Sequence, residues 1–184
     1  MQHLDLVALE AGLEDIRRAP RDAGRVELVV RRPAVDDREV LDEAILDCDV
    51  GLIGDTWHER GSSSTPDGRA NPLAQVTVMN ARAAALMAGA LERWPLAGDQ
   101  LYVDFDLSLE HLPPGTRLMI GSAVIEVSNK PHTGCAKFAA RFGRDALKFV
   151  NSDVGRALNL RGINTAVVSP GVVRPGDAVT KAAQ

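Results

Sequence analysis

Short runs of alternating apolar residues, each cut off by a proline or glycine turn, fill the second half of the chain and argue against a parallel α/β sheet. Residues 101–105 alternate with Asp104 and Asp106, and residues 107–112 extend the same reading. Pro113-Pro114-Gly115 then turns the chain. Residues 117–120 and 123–128, joined by Gly121-Ser122, read as a hairpin with Val124, Glu126 and Ser128 on one face. Residues 163–169 form another strand, followed by turns at Pro170-Gly171 and Pro175-Gly176-Asp177 and a last strand at 178–180. Strands this short cannot bury a sheet by themselves, so they must curl over a shared core. The expected class is mainly β with peripheral helices (α+β), a closed or partly closed barrel.

The first half carries the helices. Residues 4–18 place Leu6, Leu9, Leu13 and Ile16 at helical spacing, and Pro20 and Gly24 end the pattern. Residues 25–32 alternate Val26, Leu28 and Val30 as a strand that Pro33 stops. Residues 36–46 read as a second amphipathic helix, with Asp36 as N-cap and Glu39 completing a capping box. From 47 to 75 the periodicity fails, and a polar Ser-rich loop over 59–70 could serve as a lid. A buried strand at 76–79, an Ala-rich helix at 81–90 and an exit at Pro95 follow. The expected organisation is an N-terminal helix over 1–24 appended to one domain over 25–184.

Apolar residues make up 45% and charged residues 25% of 184, the balance of a globular chain with a core. The formal charge of −4 hides an asymmetry. Between Lys130 and Arg161 seven basic residues face only Asp145 and Asp153, so that segment carries +5 and the rest −9. A compact basic field of that kind suits a small anionic ligand better than nucleic acid, which needs a broader patch. No apolar run reaches the roughly 20 residues of a membrane span. No secretory signal opens the sequence, so the expected setting is a reducing cytoplasm with Cys48 and Cys135 as free thiols.

Cys135 follows Thr133-Gly134 and opens a helical pattern. A thiol there meets unpaired backbone N–H groups and the positive end of the helix dipole, which favour the reactive thiolate. Phe138, Phe142, Ala146 and Phe149 fall on one face, as core. Lys137, Arg141, Arg144 and Lys148 form a basic stripe, with Arg144 and Lys148 read as a solvated face. Gly143 is a candidate break. Lys137 lies close enough to the thiol to favour its ionised form, and His132 or His58 could pair with it as a base. No two cysteines or histidines have zinc-ligand spacing, and phosphate loops and dinucleotide fingerprints are absent.

Three stretches resemble the MOSC family, the domain found at the C-terminus of molybdenum-cofactor sulfurases and as stand-alone bacterial proteins. They are Gly51-Leu52-Ile53-Gly54-Asp55-Thr56-Trp57-His58, the hairpin around Pro114-Gly115, and Pro131-His132-Thr133-Gly134-Cys135-Ala136-Lys137-Phe138 with the downstream Arg161-Gly162 and Val168-Ser169-Pro170-Gly171. The resemblance implies a MOSC β-barrel in which Cys135 carries persulfide sulfur or ligates molybdenum. It also implies that Asp55 and His58 lie near a pocket mouth, with Thr133, Lys137, Asn151, Arg156 and Arg161 available to hold an anionic group. Molybdopterin is the implied cofactor. Pyridoxal phosphate would belong to a separate sulfur donor, a cysteine desulfurase, or a redox partner would act instead. The activity would be sulfur transfer or molybdenum-dependent reduction of N-hydroxylated compounds, with a homodimer left open and neither nucleic acid nor membrane as partner. Two other readings stand beside it. One is a metal-free thiol-redox protein in which Cys48 resolves an oxidised Cys135. The other is a non-catalytic binding module in which Cys135 is a buried small hydrophobe.

Overall fold

The alternating runs do close on themselves. The computed structural model describes residues 3–182 and contains β1 (Gly24–Arg31), β2 (Glu39–Leu41), β3 (Ala44–Asp47), β4 (Gly51–Leu52), β5 (Val76–Asn80), β6 (Leu101–Asp104), β7 (Arg117–Ile120), β8 (Ala123–Val127), β9 (Ile163–Ser169), β10 (Gly171–Val173) and β11 (Ala178–Lys181). Seven of these form a ring in the order β1-β6-β5-β9-β8-β7-β11, and β11 returns to β1 through Gly24↔Val179 and Arg25↔Ala178. The β5–β6 pair is parallel and the other ring pairs are antiparallel. Closure leaves no unpaired edge along the ring, which is how so many short strands become stable together. β2 pairs with the far end of β1, while β10, β3 and β4 make a small separate sheet.

Strand residues divide between two cores. Val26, Val29, Val78, Leu101, Val103, Ile125 and Val179 point into the barrel. Leu28, Val30, Met79 and Tyr102, on the opposite faces of the same strands, pack outward against the helices. A register shift between Val26 and Leu28 explains how Val26 and Val29, an odd number of residues apart, both face the barrel interior. The covering helices are α1 (Leu6–Ala11), α2 (Leu13–Arg17), α3 (Trp57–Arg60), α4 (Ala81–Ala88), α5 (Ala136–Phe142), α6 (Arg144–Asn151) and α7 (Asp153–Ala157). Leu9, Ile16, Phe138, Phe142 and Phe149 supply most of the bulk of this outer core.

Three local expectations fail for identifiable reasons. Residues 36–46 are not a helix but β2 and β3. Asp36 has φ of 62°, whereas an N-cap needs extended backbone. Glu39 pairs with Arg31 across the β1–β2 ladder at 2.5 Å instead of closing a capping box. Residues 107–112 are a turn, not a strand: the Asp106 carboxylate accepts from Ser108 N at 2.9 Å and bends the chain, and Leu112 N donates to Ser108 O at 2.8 Å. The N-terminal helix is two helices divided at Gly12.

Candidate functional site

Cys135 is the N-cap of α5, with extended backbone (φ −127°, ψ 178°), and its carbonyl accepts from Ala139 N at 3.0 Å. The loop ahead of it is fixed from two sides. Asn151 on α6 brackets Gly134, accepting from its N–H at 2.9 Å and donating to its carbonyl at 3.2 Å. Asn164 on β9 accepts through its carbonyl from Ser128 N at 2.9 Å and donates from its side chain to Lys130 O at 3.1 Å. A Cβ at position 134 would come within 2.8 Å of the Leu147 and Val150 side chains, so any larger residue there displaces them. The thiol is thus presented by a tied-down loop. Cys135 is exposed, which removes the buried-hydrophobe reading, and both Cys48 and Cys135 are free.

Cys135 opens on a cavity of about 200 Å³ that also contains Arg32, Arg38, Arg60, Lys137, Arg141 and Arg161, with Asp36 the one carboxylate in its lining. Two of these cations are neutralised from behind. Arg32 forms a buried two-point pair with Asp55, both contacts at 2.8 Å, and Asp55 also accepts from Trp57 N at 2.9 Å. Arg161 meets Asp99 at 2.5 Å, donates to Ala97 O at 2.8 Å and lies 5.1 Å from the centre of the Phe138 ring. Arg141 and Lys137 share the exposed Asp36 at 2.7 and 3.6 Å. Counting Asp55 and Asp99 with Asp36, six cations meet three carboxylates, and the cavity keeps three positive charges.

Arg38 and Arg60 hold two of those three charges, and the third is the surplus of Arg141 and Lys137 over the one Asp36 they share. Among the described residues neither Arg38 nor Arg60 forms an ion pair; Arg38 donates only to the carbonyls of Pro95 and Asp37. Burial and then the neighbouring guanidiniums (Arg141 and Arg32 for Arg38, Arg32 for Arg60) push both below the usual arginine range, although Arg60 stays open to solvent on one side. Cations crowded in this way gain free energy from an incoming anion.

The other expected site residues fall elsewhere. Asp55 does not line the cavity but stands behind Arg32, and Asn151 acts on the loop. His58 is exposed on α3 against Trp57, 6.0 Å between ring centres, and lines no part of the cysteine cavity. His132, Thr133 and Arg156 line a different cavity on the other side of the loop. His132 Nδ1 lies 3.4 Å from Asp99 Oδ1, and burial followed by the charge of Arg161 pushes its pKa down to about 3, so the ring is uncharged near neutrality. Sequence reasoning misses Arg32, Arg38 and Arg60, which come from the acidic half of the chain. The available signal was Asp55 itself, since a carboxylate buried in a Gly-Asp loop requires a cation.

A family model described as the MOSC domain matches residues 67–180. No curated protein sequence matches the chain. Among solved structures, YuaD from Bacillus subtilis superposes with a TM-score of 0.60 at 18% identity, covering 88% of this chain and 97% of that one. YiiM from Escherichia coli gives 0.56 at 19% identity, covering 87% and 70%, and YiiM from Geobacillus stearothermophilus gives 0.57 at 12%, covering 87% and 75%. At such identities the likeness speaks for the fold alone. Arg32, Arg38 and Arg60 lie outside the matched residues, and Cys135, Lys137, Arg141 and Arg161 lie within them. A closed mixed barrel and a family match over more than half of its length make this chain a member of the MOSC domain family.

Proposed function

We propose that the cavity binds a small anion against the Cys135 thiol, and that the protein is a stand-alone sulfur carrier that takes up sulfur as a persulfide. The observation that carries this reading is the pair Arg38 and Arg60, two guanidiniums without carboxylate partners in the same cavity as an exposed cysteine. In the transfer, the Cys135 thiolate attacks the outer sulfur of a donor persulfide, as formed on a cysteine desulfurase. One S–S bond forms, the donor's S–S bond breaks, and the donor leaves as a thiolate, so no oxidant is consumed. The resulting persulfide anion lies among guanidiniums that favour its charge. Lys137, at the edge of the cavity, adds to that field, and Asp55 and Asp99 hold Arg32 and Arg161 in position.

The molybdenum cofactor is the second anionic occupant, supported by the family's association with cofactor sulfurases. The side chains suit its two ends: thiolate is a soft metal ligand, and guanidinium matches phosphate. At about 200 Å³ the cavity falls below the roughly 300–1,000 Å³ of sites that enclose a whole organic ligand. It would take one end of the cofactor and leave the pterin body outside. Bound there, the cofactor would supply a redox-active metal; Cys135 would hold the metal end and Arg38 and Arg60 the phosphate.

After incubation with a persulfide donor, the wild type should release sulfur to cyanide in stoichiometric amount. Cys135→Ser should release none, Cys48→Ser should match the wild type, and Arg38→Ala/Arg60→Ala should load more slowly. Metal and pterin analysis of the same preparations, from a molybdenum-replete host, separates the two occupants. Equal cyanide-releasable sulfur and equal molybdenum in wild type and Cys135→Ser would end both readings.

A further inference from the structure

The loop that presents Cys135 has a second cavity behind it, of about 370 Å³, within the roughly 300–1,000 Å³ of small-molecule sites. Its floor is hydrocarbon: Leu112, Val150 and Ile163 belong to the buried set and reach it from three separate parts of the chain. No acidic residue lines it. Two cations do, Lys130 and Arg156, and among the described residues neither forms an ion pair. Lys130 Nζ donates to Ser64 Oγ at 3.0 Å, and Arg156 Nε donates to Asn151 O at 3.1 Å.

His132 fixes the polarity of the inner wall. Its buried Nδ1 lies 3.4 Å from Asp99 Oδ1, and among the described residues neither atom has a hydrogen-bond partner. Burial keeps the ring uncharged near neutrality, so it offers a carboxylate no countercharge at the inner wall. An anionic ligand would therefore bind with its charge at Lys130 and Arg156 and its apolar body inward.

We propose that this second cavity is a binding site for a small organic acid with an apolar body, such as an aryl or branched-alkyl carboxylate. It is separate from the cysteine cavity and does not depend on what Cys135 does. The carboxylate would take the hydrogen bonds and charge that Lys130 and Arg156 leave open, and the ring or branched chain would cover Leu112, Val150 and Ile163. The hydrocarbon supplies affinity and the two cations supply selectivity for an acid over the matching alcohol.

Benzoate and benzyl alcohol are the probes, titrated into isotope-labelled full-length protein and followed by the methyl resonances of Val127, Val150 and Ile163. Benzoate should shift these methyls saturably and bind about tenfold to a hundredfold more tightly than benzyl alcohol, the range expected of charged hydrogen bonds. The variant Lys130→Ala/Arg156→Ala should lose that preference while keeping the weak alcohol binding, which also shows that the cavity remains folded. Cys135→Ser should bind benzoate as the wild type does. The proposal is overturned if benzoate leaves these methyls unmoved. It is equally overturned if the preference survives Lys130→Ala/Arg156→Ala, or if it disappears in Arg38→Ala/Arg60→Ala, which would assign the acid to the cysteine cavity.

Discussion

His132 shows how far a residue's neighbourhood can redirect it. Three positions from Cys135, it reads as a base for that thiol, yet the fold buries its Nδ1 3.4 Å from Asp99 and turns it into a different cavity. Its folded pKa of about 3 lies well below the roughly 6.5 of an unperturbed histidine. The unfolded chain therefore takes up this proton first. The neutral ring contributes stability that is complete above about pH 6.5 and is lost as the pH falls toward 3. Two measurements check this. The imidazole resonances of His132 should remain those of a neutral ring at pH 5, and His132→Gln should flatten the fall in unfolding free energy between pH 6.5 and 4. A midpoint near 6.5 for His132 would contradict the burial described here. Arg38 and Arg60 make the complementary point: as isolated basic residues in an acidic half they look unremarkable, and only their convergence on Cys135 gives them a role to test.

At the scale of elements, the cysteine helix is two helices set at an angle by one residue. The spacing of Phe138, Phe142, Ala146 and Phe149 was readable as a buried face, and all four are buried. What bends the path is Gly143, with φ of 94° and ψ of 163°, a region open in practice to glycine alone. A Cβ at this position would also meet His3 Nδ1 at 2.8 Å. Gly143→Ala should cost about 1–3 kcal/mol in urea unfolding. It should also slow the alkylation of Cys135 or change its rate, because α5 carries Lys137 and Arg141 into the cavity while α6 carries Asn151 to the loop. An alanine variant as stable as the wild type would show that the break is not fixed by backbone strain. The misread element is also instructive. Residues 36–46 have enough charge and apolar spacing for a helix, but β2 pairs with β1 just before it and β3 with β10 near the end of the chain, and ladder pairing overrides the local pattern.

The whole molecule depends on closure. β11 is paired on one side with β7 and on the other with the first residues of β1, so the last strand of the chain seals the ring that the first strand begins. Val179, fully buried at that seam, is the residue to test. Val179→Asp would place a charge inside the barrel with no partner, a change expected to cost about 3 kcal/mol or more. Hydrogen exchange should then quicken in β1 and β7 together, since both lose their neighbour; faster exchange confined to β11 would mean that the barrel is stable without closure. The sequence determined β6, β7, β8, β9 and β11, though not β10, together with the buried phenylalanine face and the place of Cys135 at a helix start, because turn residues and apolar spacing act over a few neighbours. Tertiary structure alone decided which cations surround the thiol, where His132 faces and that a second cavity lies behind the loop, because these depend on the β1–β6 and β5–β9 pairings, each across many tens of residues. Side chains brought together by such pairings leave no periodic trace along the chain, and their charges interact only once the barrel has closed around them.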